Sequence, residues 1–166
     1  MTKEFTHEDL IDLDYEILKK LSEDSRISFR QLAKELDVGS PVTIKNHLEK
    51  MDRNGFFINY GAKINYEKLG YDIIAVIEVT ISKGKMFDVE KRIAQNPNVF
   101  GVYDITGTYD ALILARFRTR EDLSNMIKEE LHASPNVEHT NTHIVLKIIK
   151  EGCSFTELIK KEKKKQ

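Results

Sequence analysis

The 166-residue chain has little of what usually marks a special environment: one cysteine, three prolines and no tryptophan. A single thiol, Cys153, can neither close an internal disulfide nor furnish a multi-thiolate zinc site, so neither an oxidising compartment nor a zinc fold is suggested. Cys153 is most simply a small side chain. No apolar run reaches the ~20 residues needed to cross a bilayer, and the polar opening stretch lacks the charged-then-apolar layout of a secretory signal. A cytoplasmic protein without a membrane partner is therefore expected. Excess charge of one sign is also missing, since 26 basic residues meet 27 acidic ones. A nucleic-acid partner would have to meet a local basic face, because the whole molecule has no positive field to steer it.

What is present suits a globular protein of one or two small domains: 40% of residues are hydrophobic and 32% charged. The charge is unevenly placed. Residues 1–16 hold one basic and six acidic groups, 17–61 hold eight and six, 62–154 hold twelve and thirteen, and 155–166 hold five and two. Pattern and charge together divide the chain into 1–61, a helical domain with an acidic N-terminal arm, 62–152, a regulatory domain, and 153–166, a lysine-rich tail. Its lysines could meet DNA phosphate, but a charged terminus of that kind is usually a solvated, frayed end.

From Leu13 to Asn54 the apolar residues recur at helical spacing in three short segments. Leu13, Ile17, Leu18 and Leu21 line the first, and Asp12 or Asp14 can cap its start. Phe29, Leu32, Ala33 and Leu36 line the second, where Ser28 and Gln31 have capping-box spacing. The third opens at Ser40-Pro41, an N-cap acceptor before a proline at the first helical position, and buries Ile44, Leu48 and Met51 before Gly55 ends it. At 100° per residue its opposite face carries Val42, Thr43, Asn46, Glu49, Lys50 and Arg53, with Lys45 on the flank and His47 toward the edge of the core. Two short helices joined by a tight turn at 37–40, the second presenting amide and cationic groups, describe a helix-turn-helix whose second helix can enter a major groove. On spacing alone, the solvated face of a three-helix bundle is the alternative. The β-prone segment around Gly61 suits a wing or a hinge strand.

The second half repeats itself. Residues 73–81 read as a strand, Met86, Val89 and Ile93 mark a helix, and Asn96-Pro97 precedes a strand from Val99. Residues 109–117 read as a strand, Thr119 caps a helix with Leu123, Met126, Ile127 and Leu131 inward, and Ser134-Pro135 precedes a last strand. Pro-Asn-Val occurs at 97–99 and again at 135–137, a period of 38 residues. Two β-α-β units in series predict the ferredoxin-like β-α-β-β-α-β pattern, an α+β fold with both helices on one face of an antiparallel sheet. Strand 73–81 is apolar on both sides, so the face away from the helices calls for a second copy of the chain.

No nucleophile elbow, phosphate loop or metal-ligand spacing stands out, so no catalysis, metal or cofactor is expected. His139 and His143 lie too far apart on a strand to share an ion. The turn at Gly107-Thr108-Tyr109-Asp110 carries more chemistry. A glycine that bares backbone N–H groups beside a carboxylate can hold a zwitterion: Asp110 accepts from an α-ammonium group while free donors face an α-carboxylate. An ordinary hairpin turn fits the same spacing. Thr140 and Thr142 share a face of the last strand and offer hydroxyls, or are simply β-formers.

Over about residues 10–151 the arrangement and several strings resemble the Lrp/AsnC family of leucine-responsive or feast/famine transcription regulators. DLDYEILKKLSEDSRISFRQLAKELDV (12–38) is similar to that family's opening helices, and TIKNHLEKMDRNG (43–55) to its recognition helix. GTYDALIL (107–114) and TNTHIVLKIIK (140–150) are similar to the turn and last strand of its effector domain. Two features depart from it: the turn at Gly39–Val42 is one residue longer, and His47 stands where the family generally has arginine. The resemblance implies a winged helix-turn-helix regulator that binds double-stranded DNA as a dimer, assembles toward tetramers or octamers, and responds to an amino acid held between dimers. The DNA-binding candidates are Ser40, Thr43, Lys45, Asn46, His47 and Lys50, with a packing role for His47 standing beside the DNA role. The effector candidates are Gly107, Tyr109, Asp110, Thr140 and Thr142, with Tyr109 as an aromatic wall. The competing function is a small-molecule sensor or enzyme-associated regulatory module whose helical domain does not bind DNA.

Overall fold

The computed structural model describes residues 5–163. The first four residues of the acidic arm and 164–166 of the lysine-rich tail lie outside the described residues. The chain forms two compact units: 1–63 together with 151–166, and 64–150.

In the first unit, α1 (Asp12–Glu23), α2 (Phe29–Glu35) and α3 (Pro41–Arg53) pack around fully buried Ile17, Leu32, Ile44 and Met51. The helices begin where local chemistry tells them to. Asp14 reaches back to accept the backbone N–H of Ile11 at 3.0 Å, Ser28 accepts from Gln31 N–H at 3.1 Å, and Ser40 accepts from Val42 N–H at 3.2 Å. Each satisfies a donor that a helix start leaves unpaired. The turn into α3 is set by Asp37 in the left-handed region (φ 53°), which lets Val38 N–H return to the Ala33 carbonyl at 2.8 Å. Phe29, expected on the inward face of α2, is instead 45% exposed. It is the first residue of its helix, where the face that Leu32 and Ala33 bury has not yet turned inward.

Residues 56–65, expected as a wing or hinge strand, pair with no strand in this single chain, and Ile58 is 99% exposed. A short extended segment needs a neighbouring strand to form a ladder, and none lies beside it among the described residues. The C-terminal segment forms α6 (Phe155–Lys163), which lies against α1, with Thr156 Oγ1 donating to Glu23 at 3.1 Å.

The second unit is a four-stranded antiparallel sheet of β1 (Ile73–Ile81), β2 (Val99–Asp104), β3 (Ala111–Phe117) and β4 (Val137–Ile144) in the order β2-β3-β1-β4. Helix α4 (Met86–Ile93) follows β1. Helix α5 (Arg120–Met126), continuing as a π-helical stretch through His132, follows β3. Thr119 starts α5 with a reciprocal cap, its hydroxyl accepting from Asp122 N–H at 3.0 Å while its own N–H donates to the Asp122 carboxylate at 3.1 Å. Register places Ile77 opposite Ile113 and Ala75 opposite Ala115. These residues, with Val79 and Phe117, pack with Val89, Ile93, Leu123 and Leu131 of the helices in one core.

The opposite face of β1, with Ile74, Val76, Glu78 and Thr80, is only half-buried. The last strand is shorter than its β-branched run suggests. Ala75 is the partner of Ile144, and β1 begins only two residues earlier, so beyond the bond from Val145 N–H to the Ile74 carbonyl the ladder has nothing left to pair with. Leu146 is consequently 97% exposed.

Candidate nucleic-acid interface and effector turn

Helix α3 owes its orientation to Ile44, Leu48 and Met51, which are buried against α1 and α2 and turn the remaining positions outward. Asn46 is exposed at the middle of that face. Lys45 is exposed and lies 3.5 Å from Glu49 one turn on, a solvated pair of small energetic weight that leaves the ammonium free to exchange partners. Lys50 sits over the ring of Phe5, 4.0 Å from its centroid, so the N-terminal arm steadies a cation that spacing alone treats as free. Thr43 and Ser40 are half-buried, the latter occupied as the N-cap. Of the six candidates, Lys45, Asn46 and Lys50 are outward.

His47 is differently placed. Its Nδ1 lies 2.6 Å from Asp14 Oδ1, so the helix that presents the other residues is tied to the start of α1. The angular count placed this ring near the core edge but could not name its partner. Arg53 and Val42, both exposed, extend the same surface.

In the second unit, Gly107 lies at the tip of the β2–β3 hairpin with φ 134°, a backbone state that strongly favours glycine. The hairpin closes through Ile105 N–H to the Asp110 carbonyl, and Asp110 N–H ties it to the Val79 carbonyl of β1, both 2.9 Å. One carboxylate oxygen of Asp110 accepts the Ile81 N–H at 2.7 Å. Asp110 therefore locks the end of β1, and its other oxygen has no hydrogen-bond partner among the described residues. The Tyr109 ring lies parallel to that of His139, centroids 6.3 Å apart.

Thr140 stands opposite Val79 and Thr142 opposite Ile77, on the helix-facing side, where Thr140 Oγ1 is 3.0 Å from His132 Nε2. The fold thus gathers Tyr109, Asp110 and Thr140 at one end of β1, while Thr142 lies two residues further along the edge strand.

On the open face, Glu78 accepts from Asn141 Nδ2 at 2.8 Å and lies 3.2 Å from His143 Nε2. The Asn141 hydrogen bond, followed by that of His143, holds the Glu78 carboxyl below its ordinary range. A further cleft of about 490 Å³ occurs in the helical unit, lined by Tyr15, Leu18, Leu21, Phe57, Phe155 and Ile159 among others.

A helix-turn-helix in one unit and a ferredoxin-like sheet with a polar hairpin turn in the other are the layout of a two-domain helix-turn-helix regulator. The Lrp/AsnC ligand binding domain matches residues 74–155. An uncharacterized HTH-type transcriptional regulator of Pyrococcus furiosus is 44% identical over 140 residues, spanning 84% of this chain and 93% of that protein. Among solved structures, AsnC of Escherichia coli superposes with a TM-score of 0.81 at 27% identity, covering 87% of this chain and 97% of that one. A transcriptional regulator of Neisseria meningitidis, solved as its L-Met complex, gives 0.80 at 26%, covering 87% and 95%. The chain belongs to the Lrp/AsnC family of helix-turn-helix transcriptional regulators.

Proposed function

We propose that α3 reads double-stranded DNA in a sequence-specific way and that the hairpin turn at Gly107–Asp110 holds a free amino acid where subunits meet. The observation that carries the first part is the polar outward face of α3. Asn46 at its centre suits a base edge, and Lys45 and Lys50 suit phosphate. Salt-dependent binding of the chain to its own upstream DNA tests this, because each phosphate contact adds to the slope. Replacing Lys50 by alanine weakens binding across sequences and lowers that slope. Asn46→Ala loses about 1 to 3 kcal/mol, and only at the base it reads. Unchanged affinity in both variants removes the assignment.

The effector reading is supported by an aspartate with one free carboxylate oxygen beside a glycine turn and an aromatic ring, and by the methionine held by the Neisseria relative. An amino acid bound between subunits shifts the oligomer equilibrium, and the oligomer in turn binds it more tightly. Calorimetric titration with the common amino acids, repeated on Asp110→Ala, checks it. Because Asp110 also secures Ile81, the variant's fold is verified by circular dichroism, and full-strength binding in a folded variant places the effector elsewhere. The half-buried apolar face of the sheet makes the working state at least a dimer, and a monomeric mass at micromolar concentration contradicts that.

A further inference from the structure

Among the DNA-binding candidates on α3, His47 is the one bonded to a buried acid. The Asp14 residue is 2% exposed, and its two oxygens accept from Ile11 N–H and from the His47 ring. A carboxylate can only accept, so Nδ1 carries the hydrogen and the orientation of the ring is set from α1. The other nitrogen, Nε2, has no protein partner among the described residues, and the side chain keeps 24% of its surface.

With Nδ1 committed, the neutral ring offers a lone pair at Nε2 and the imidazolium offers an N–H. His47 lies on the flank of α3 shared with Thr43 and Lys50, beside the core rather than at the centre of the outward face. That is the position of a backbone contact, and phosphate oxygens only accept. An arginine fork at such a position would always be charged. Histidine instead supplies a donor only while it holds a second proton, and an imidazole is the side chain that ordinarily exchanges one between about pH 5 and 8.

We propose that DNA binding by this chain takes up a proton at His47: Asp14 holds the ring through Nδ1, and the complex selects the imidazolium, whose Nε2–H donates to a phosphate oxygen. The proposal rests on α3 being the reading helix. The charged neighbours leave the ring to Asp14 and the incoming DNA. On α1, Glu16 pairs with Lys19, and Lys20 pairs with Glu35 of α2. Asp12 on α1 and Arg30 and Lys34 on α2 are exposed, and on α3 itself Lys45 pairs with Glu49 while Lys50 lies over Phe5.

The test measures affinity of the full chain for its upstream fragment, and for an unrelated fragment, between about pH 6 and pH 8.5 at fixed ionic strength. One linked proton sets a ceiling of about tenfold per pH unit. Wild-type affinity should fall several-fold per unit above neutrality on both fragments, as a phosphate contact requires. His47→Arg should restore full affinity at every pH and flatten the profile, and His47→Ala should be weak and flat. Calorimetry of wild-type binding in two buffers of different ionisation heat counts the proton directly and needs no variant. A pH-independent wild type that still binds with normal salt dependence overturns the proton uptake and leaves the reading helix intact, as does a His47→Arg profile as steep as wild type. Absence of DNA binding at every pH and low salt overturns both.

Discussion

The two units differ in how they close their cores. Among the described residues of the helical unit the buried apolar core is Ile17, Leu32, Ala33, Ile44, Leu48 and Met51, and a rim of half-buried residues such as Leu13, Leu18, Leu21 and Phe56 surrounds them. The sheet unit buries about twice as many apolar side chains, yet on one face only. A small helical unit has too little apolar surface to hold each helix by packing alone, so it relies on caps and on one buried carboxylate that reaches from α1 to α3. The sheet unit has apolar surface to spare, and its open face is left half-buried. Seating by polar links therefore belongs to the helical unit, and surplus apolar surface to the sheet unit.

The comparison breaks most sharply at the cores. Ile113→Ala should cost about 2 to 5 kcal/mol in urea unfolding, because the rigid ladder around it cannot collapse into the cavity, while Leu32→Ala should fall at the lower end of that range if its half-buried rim relaxes. Equal losses would mean that the rim is as rigid as the sheet. Asp14→Ala comes next: it strands the His47 Nδ1–H and the Ile11 N–H, so about 1 to 3 kcal/mol should vanish from the same measurement. A neutral result would show that the polar link is not what seats α3. Thr119→Ala, which removes the reciprocal cap of α5, should cost about 1 kcal/mol.

Two smaller effects sharpen the picture. Asp37→Gly, at the left-handed turn between α2 and α3, should raise stability by up to about 1 kcal/mol, since glycine adopts that conformation without the Cβ clash. Glu90 supplies the smallest effect. Burial, and then the Asp104 charge, pushes its carboxyl above the ordinary range, so the folded chain keeps the proton longer than the unfolded one. Stability is then lost as pH rises through the carboxylate range. Glu90→Gln should accordingly stabilise at pH 7 and lose this effect below about pH 3, where both states are protonated. Glu78, held below its ordinary range by Asn141 and His143, runs the other way and contributes stability that is lost as pH falls.

Much of this architecture was legible because its causes are local. Ser28, Ser40 and Thr119 each satisfy a donor within three residues, and the alternation in β1 and the repeat of Pro-Asn-Val mark the sheet unit without reference to anything distant. The tail was less legible. Its lysines suggested a solvated end, whereas Phe155 and Ile159 line the cleft with α1. The effector turn was legible as a cluster of residue types, but not the hydrogen bond that commits half of the Asp110 carboxylate to Ile81.

The sequence by itself determined the helix starts, the order of the elements and the outward face of α3, since each follows from spacing and from hydrogen bonds a few residues long. Only the tertiary structure decided that His47 meets Asp14, 33 residues away, that Asp110 meets Ile81, 29 residues away, and that β4 stops at Ile144. These outcomes depend on where packed elements come to rest against one another. That placement is a sum over many weak contacts across the core, and no periodicity along the chain records it.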